Sequence, residues 1–100
     1  MIALPQTHPY WPEDVEHAVA ELLGRLPDED HDTIHSMAEA DLVTLHFGLG
    51  LAIRNEFGLL AGNTALLAAC GSADMHPDDA SMVIIRMLWE VLVSESIHGP

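Results

Sequence analysis

The stretch PDDASMVIIRMLWEVLVSES, residues 77–96, decides the fold class of this chain. Proline suits the first position of a helix, and Asp78 and Asp79 complement the positive end of the helix dipole. Ten apolar residues then follow with few interruptions. The run 82–85 would also suit a strand. The length of the segment, its proline start and the lack of a partner strand favour a helix over about 77–96.

Two shorter segments also have helical spacing and clear end signals. Apolar positions recur at helical intervals between Pro12, which suits a first helical position, and Pro27, which ends the helix. Asn63 is a good N-cap and Gly71 a good stop for a short helix over 64–69. Between these segments, residues 28–35 (DEDHDTIH) form either a short acidic helical turn or a loop.

A second long apolar segment follows Ser36. Ser36 and Glu39 match a capping box, in which the serine and the glutamate satisfy the first backbone N–H groups of a helix. Apolar residues cover nearly every side of the segment that follows, which is typical of a buried helix. We therefore expect a central helix over about 37–57. Gly48 and Gly50 within it indicate close approach of another helix, or else a kink.

Together these segments predict an all-α fold: a compact bundle of four to five helices with two central apolar helices, about 37–57 and 77–96. The chain of 100 residues suits a single domain over 1–100. Three prolines at positions 5, 9 and 12 indicate an irregular N-terminal arm over 1–11. We expect Tyr10 and Trp11 to pack back onto the helices.

The charge balance is strongly acidic, with 16 acids, three arginines and a net charge of -13. Such a field repels nucleic acids and anionic membranes, because binding phosphate requires lysine or arginine. It attracts proteins with a basic surface, and most of the charge lies in the first half of the chain. The acids expected to contact such a partner are Glu13, Glu16, Glu21, Asp28, Glu29, Asp30 and Asp32.

The cellular location is predicted from absent signals. Cys70 is the only cysteine, which excludes an internal disulfide. The N-terminal sequence lacks the basic and apolar regions of a signal peptide, and no run of about 18 apolar residues could span a membrane. We therefore expect a cytoplasmic protein.

Arg54 stands out because an arginine in an apolar segment must be paired. Aspartates at the start of the last helix are natural partners, and His46 lies two turns before Arg54 on the same side of the predicted helix. The predicted network consists of His46, Arg54, Asn55, His76, Asp78 and Asp79. We favour a structural role, in which Arg54 connects a loop to a helix N-terminus; a ligand pocket and a catalytic site are the alternatives.

No other group of residues indicates catalysis or metal binding. His31 and His35 would share one face of a helix, with Asp28 and Asp32 beside them, but a closed zinc site needs four ligands. Cys70 has no activating base near it in the sequence. We therefore expect a protein that is not an enzyme and that uses no cofactor or metal.

Several motifs in the second half of the chain occur together in one family. These are HFGLGLAIRNEFGL at 46–59, Gly-Asn at 62–63, and HPDDAS at 76–81 before the apolar helix. Over about 38–93 the chain resembles an uncharacterised family of small bacterial proteins with the pattern H-F-G-L-G-x-x-I-R-N-x-F-G-L-W. Leu60 stands where tryptophan is common, which implies an altered core contact. The resemblance implies a bacterial, cytosolic helical domain in which the segments around Arg54 and His76 form one unit. It implies no activity.

Small size, acidity and the lack of a catalytic motif favour a protein-binding inhibitor, above all an immunity protein that neutralises a bacterial toxin. One alternative is a phage-encoded inhibitor that mimics nucleic-acid charge to block a nucleic-acid-binding defence complex. Another is a small-molecule or anion-binding domain centred on His46, Arg54 and His76. The excess of apolar residues in the last helix would also suit a homodimer formed through it.

Overall fold

A computed structural model describes residues 11–97 of the chain, with residues 96 and 97 described through their backbone alone. Predictions about Tyr10 and the arm over 1–10 lie outside this range. Every regular element within it is helical, which confirms the all-α fold class. The elements are α1 (Val15–Arg25), α2 (Asp28–His35), a 3-10 helix (Glu39–Leu45), α3 (Leu49–Glu56), α4 (Thr64–Cys70) and α5 (Pro77–Ile97).

The long helix α5 is the centre of the fold, as its apolar sequence predicts. It begins at Pro77, and all the other helical elements pack against it. Ile84, Ile85 and Leu88 on α5 are completely buried. Each fully buried side chain of this size stabilises the fold by about 1.5–3 kcal/mol relative to an exposed one. The core is therefore organised around one helix.

The prediction of a second central helix over 37–57 is wrong in its extent. The structure divides this segment into the 3-10 helix, a turn at 46–48 and α3. Gly48 precedes α3 with φ −94° and ψ −88°, which is outside the helical region. Phe47 is 79% exposed and Val43 is 64% exposed, so the segment is not buried on all sides. Of the two explanations for the glycines, a break in the helix applies to Gly48.

The predicted capping box at Ser36 is also wrong. Ser36 ends α2, and its hydroxyl donates to the carbonyl of Asp32 at 2.8 Å. The 3-10 helix begins after Ala38, without a side-chain cap. The nearby loop is instead connected to the core by Trp89 of α5, whose indole Nε1 donates to the carbonyl of Met37 at 2.9 Å.

Helix α1 begins three residues later than predicted. Asp14 is its N-cap and accepts a hydrogen bond from the backbone N–H of His17 at 2.7 Å. Pro12 is buried before the helix, not part of it. Residues 28–35, for which the sequence left a turn or a loop open, form α2.

The turn before α4 is held by Asn63, as the N-cap prediction requires. Its side-chain oxygen accepts from the backbone N–H of Leu66 at 3.3 Å, and its Nδ2 donates to the carbonyls of Pro12 and Phe57 at 2.9 and 2.7 Å. Gly58 in this turn has φ +73°, and a Cβ there would lie 2.4 Å from the Trp11 indole. Trp11 thus packs back onto the helical body, as predicted.

The end of α4 and the exposure of Leu60 can also be compared with the sequence-based predictions. Helix α4 ends at Cys70, with Gly71 as its C-cap, in agreement with the predicted stop. Leu60 is 60% exposed, so the expected change in a core contact at this position is wrong. Within the described range, no helix has both the length and the hydropathy needed to cross a membrane.

Candidate functional site

Arg54 lies on α3 with only 6% of its surface exposed, and its guanidinium contacts three different groups. Nε lies 3.3 Å from Oδ1 of Asp78, and Nη1 donates to Oγ of Ser81 at 3.0 Å. Nη2 donates to the backbone carbonyl of His46 at 3.3 Å. Arg54 therefore joins α3 to the N-terminal turns of α5 and to the turn before α3. A charge at this depth requires such partners.

Gly50 provides the space for this guanidinium. A Cβ at Gly50 would lie 3.1 Å from Nη1 of Arg54, 3.3 Å from the carbonyl oxygen of Leu45 and 3.6 Å from Oγ of Ser81. Ser81 belongs to α5, so the expected close approach of another helix is confirmed at Gly50. The glycine and the arginine are one turn apart on α3 and form one structural unit.

Asp78 brings the two predicted histidines to the same place. Its Oδ2 lies 3.8 Å from Nε2 of His46 and 3.9 Å from Nδ1 of His76. His76 also acts as the N-cap of α5, because its Nδ1 accepts from the backbone N–H of Asp78 at 3.0 Å. Four of the six predicted network residues therefore lie together: His46, Arg54, His76 and Asp78.

The other two predicted members lie elsewhere, and one member was missed. Asn55 and Asp79 are exposed and take no part in the contacts around Arg54. Ser81 is completely buried, and its hydroxyl both accepts from Arg54 and donates to the carbonyl of Asp78 at 2.9 Å. Its position at helical spacing before the core residues Ile84 and Leu88 was the signal that could have found it.

The arrangement around Arg54 suits a structural connection better than a ligand site. Its guanidinium is directed at protein acceptors from three segments. Over residues 11–95, no group of three or more His, Cys, Asp or Glu side chains is placed to hold a metal ion. His31 and His35 lie partly buried on α2, and Nε2 of His31 is buried without a hydrogen-bond partner among the residues that the structure describes.

Cys70 lies at the end of α4 and is partly buried. Its Sγ lies 3.6 Å from the carbonyl oxygen of Ala80, and burial raises the pKa of the thiol. A raised pKa decreases the thiolate fraction at neutral pH, and the thiolate is the nucleophilic form. The position therefore does not favour a reactive cysteine.

The acids predicted to contact a partner lie on the exterior of α1, α2 and the residues before them. Five are exposed and two, Glu21 and Asp30, are partly exposed. Residues 13–32 hold eight acids and one arginine, which makes the exterior of α1 and α2 strongly negative. The full predicted set is Glu13, Glu16, Glu21, Asp28, Glu29, Asp30 and Asp32.

All three arginines of the chain are paired with its own carboxylates. Arg25 lies 3.1 Å from Glu21 and over the ring of Phe57, and Arg54 is paired with Asp78. The third, Arg86, contacts Glu39 and Glu90. The other twelve acids contact no arginine within the described part of the chain. Most of the negative charge is therefore left without an internal counterion.

Comparison with known proteins places the chain in a family. Neither the curated proteins nor the solved structures contain a match to this chain. A family model with the description "Domain of unknown function (DUF6794)" matches residues 11–92, which include the Arg54 cluster and all the predicted partner-binding acids. The expectation of an uncharacterised family is thereby confirmed, and the chain belongs to the DUF6794 family.

Proposed function

We propose that this protein binds a positively charged protein and inhibits it, as an immunity protein does for a bacterial toxin. One observation carries the proposal: the chain's three arginines are paired internally, while twelve acids contact none of them in the part of the chain that the structure describes. Cations that complement these acids must then come from another molecule. A basic protein surface supplies them in a fixed arrangement.

The contact surface in this proposal is the acidic exterior formed by α1 and α2. Complementary charge accelerates the encounter of two proteins and disfavours partners of the wrong sign. A small inhibitor that must reach a toxin quickly gains from both effects. We also propose a bacterial, cytoplasmic origin, and that the motifs at 46–59 and 76–81 are a signature of the family, since they surround the buried Arg54 contacts.

Charge-neutralising variants test the proposal without altering the core. The α2 variant carries Asp28→Asn, Glu29→Gln and Asp32→Asn, all at exposed positions. The matched control carries Asp74→Asn, Asp79→Asn and Glu95→Gln, which removes the same charge from exposed positions in the second half of the chain that contact no arginine among the described residues. Both variants and the wild type are used to isolate partners from the native host, and each captured protein is then purified and assayed with and without the inhibitor.

We expect the wild type and the control to retain a basic partner and to suppress its activity, and the α2 variant to lose about tenfold or more in association rate. Increasing the NaCl concentration should weaken the wild-type complex. Equal binding by the two variants would show that the acidic exterior is not the contact surface. An acidic or neutral partner would refute the proposal itself.

A further inference from the structure

An apolar groove runs between α1 and α5. Its lining consists of Val19, Ala20 and Leu23 from α1 and Met87 and Val91 from α5, with Glu16 at one side. Its volume is about 340 Å³. Five of these six residues are apolar, and Met87 is among the exposed large hydrophobic side chains of the molecule. The groove thus presents apolar surface at a place where two helices already meet.

The spacing of the lining suits a third helix. Residues 16, 20 and 23 follow each other by four and three positions on α1, and residues 87 and 91 are one turn apart on α5. Two helices with such faces form a channel into which the side chains of an added helix fit at the same spacing. A volume of this size holds two or three large aliphatic side chains.

Charge decides which helix fits this groove. Glu16 is exposed beside the apolar lining and contacts no arginine among the described residues, and Glu13 is exposed three residues before it, ahead of the N-cap of α1. Residues 13–32 carry eight acids and one arginine, and Arg25 is already paired with Glu21. An incoming helix with lysine or arginine beside its apolar face meets attraction along the α1 side.

A second copy of this chain fits the groove poorly. A symmetric dimer through α5 would place Glu16 of each copy near the same acidic surface of the other. The second copy has no unpaired arginine to offer, since Arg25, Arg54 and Arg86 are paired internally. The charge that favours a basic partner therefore disfavours the homodimer.

We propose that the groove between α1 and α5 binds an amphipathic helix of a basic partner protein. Its apolar side chains lie against Leu23, Met87 and Val91, and its lysine or arginine side chains face Glu16. This inference rests on the proposed function for the sign of the partner's charge, and it adds the place and the shape of the contact.

The test uses three synthetic peptides of about 16 residues, a length that spans the groove as a helix. One has leucines at helical spacing and lysines elsewhere, the second is a scrambled sequence of the same composition, and the third has glutamates in place of the lysines. Their affinities are measured by fluorescence anisotropy, and the methyl signals of Val19, Leu23, Met87 and Val91 are followed by NMR. Sedimentation establishes the oligomeric state of each protein sample.

Two substitutions in the groove have matched controls outside its lining. Met87→Glu adds a charge in the groove, and Phe47→Glu adds the same charge at another exposed apolar position. Ala20→Phe fills the groove without changing charge, and Ala65→Phe makes the same change on the exposed side of α4. All four positions are exposed, so we expect each variant to keep the fold.

We expect the amphipathic lysine peptide to bind about tenfold more tightly than its scrambled form and to shift the groove methyl signals. Both groove substitutions should lower the affinity of the protein for this peptide by about tenfold, and both control substitutions should lower it by less than about twofold. Equal binding of the amphipathic and scrambled peptides, or equal effects of Met87→Glu and Phe47→Glu, would overturn the groove assignment. So would a stable dimer that Met87→Glu dissociates.

The α2 variant described above separates this inference from the proposed function. If neutralising α2 weakens the lysine peptides while the groove substitutions do not, the groove assignment is wrong and the charge-based function stands. If the glutamate peptide binds as well as the lysine peptide, the basic occupant assigned to the groove is wrong, and the proposed function is decided separately by the charge of the partner captured from the native host.

Discussion

Arg54 shows how one side chain can determine its surroundings. A guanidinium has five N–H donors in a fixed plane, whereas a lysine ammonium is a single point of charge on a flexible stem. Here the donors reach Asp78, Ser81 and the carbonyl of His46, which come from three segments of the chain. The absence of a side chain at Gly50 leaves the space for this geometry.

We predict that Arg54→Ala lowers the free energy of unfolding by about 2–3 kcal/mol, because it leaves the buried Ser81 hydroxyl and the His46 carbonyl without a donor and empties a buried site. Arg54→Lys should lower it by about 1–2 kcal/mol, since one ammonium cannot reach all three groups. Urea unfolding followed by circular dichroism measures both changes in the free energy of unfolding.

Arg86→Ala is the control: its side chain is 58% exposed, and exposed ion pairs contribute about 0–1 kcal/mol. Wild-type stability in Arg54→Ala would contradict the structural role and favour a ligand site.

Asn63 is a second buried polar residue with a testable role. It caps α4 through its oxygen and donates twice through Nδ2, to Pro12 and Phe57. We predict that Asn63→Ala costs about 2–3 kcal/mol in the free energy of unfolding, from the lost cap and two unsatisfied carbonyls. Asn63→Asp keeps the cap acceptor but loses both donors, so it should not restore stability. The exposed Asn55→Ala, measured in the same thermal melts, should change stability little; equal effects at both positions would refute this role.

At the residue scale, the sequence predicted pairing where physics requires it. A charged Arg54 in an apolar segment needs partners, and the aspartates at the start of the last helix were predicted as its partners, which is correct for Asp78. The sequence-based prediction also included Asn55 and Asp79, which directly follow Arg54 and Asp78 in the chain. On a helix, neighbours in sequence are rotated by about 100°, and both side chains are exposed. Ser81 was missed because serine is usually a surface or cap residue.

At the scale of elements, apolar composition predicted α5 well and the segment 37–57 poorly. A helix predicted from apolar composition requires its apolar side chains to be buried, which holds for most of α5 but not for Phe47, Val43 and Leu51. Those residues face outward, so they give no support to a continuous helix, and Gly48 allows the chain to turn. Whether an apolar side chain is buried depends on where the other helices lie. The periodicity of apolar residues in one segment carries no information about those positions.

Two helical glycines give a prediction at this scale, because only one of them has room for a side chain. A Cβ at Gly24 in α1 meets nothing within 4 Å, whereas one at Gly50 meets Arg54 and the Leu45 carbonyl. We predict that Gly24→Ala raises the free energy of unfolding by about 0.5–1 kcal/mol through helix propensity. Gly50→Ala should lower it by about 1 kcal/mol, because overpacking outweighs the same gain. The urea midpoints of the two variants should move in opposite directions. A shift of both towards higher urea would show that the Arg54 side chain can move aside to make room for a Cβ at Gly50.

At the scale of the whole molecule, the sequence predicted an excess of negative charge, and the structure shows how it is distributed. One central helix carries the core, so the acids remain on the exterior of the helices around it. Composition alone could not predict that Arg25 and Arg86 are paired with carboxylates of the same chain. Arg25 pairs with Glu21 because the two side chains lie one turn apart on α1. Arg86 pairs with Glu39 because the fold brings α5 next to the 3-10 helix.

This charge distribution predicts the response of stability to salt. A net charge of -13 on 100 residues destabilises the compact state through self-repulsion. Increasing NaCl from about 20 to 500 mM shortens the range of that repulsion to a few ångströms. We therefore expect the melting temperature to rise by about 5 °C, which corresponds to about 1 kcal/mol for a domain of this size. The variant with three neutralised acids on α2 should show a smaller rise, because it has less repulsion to screen. A melting temperature that falls with added salt would mean that the four arginine–carboxylate pairs among the described residues stabilise the fold more than the unpaired carboxylates destabilise it.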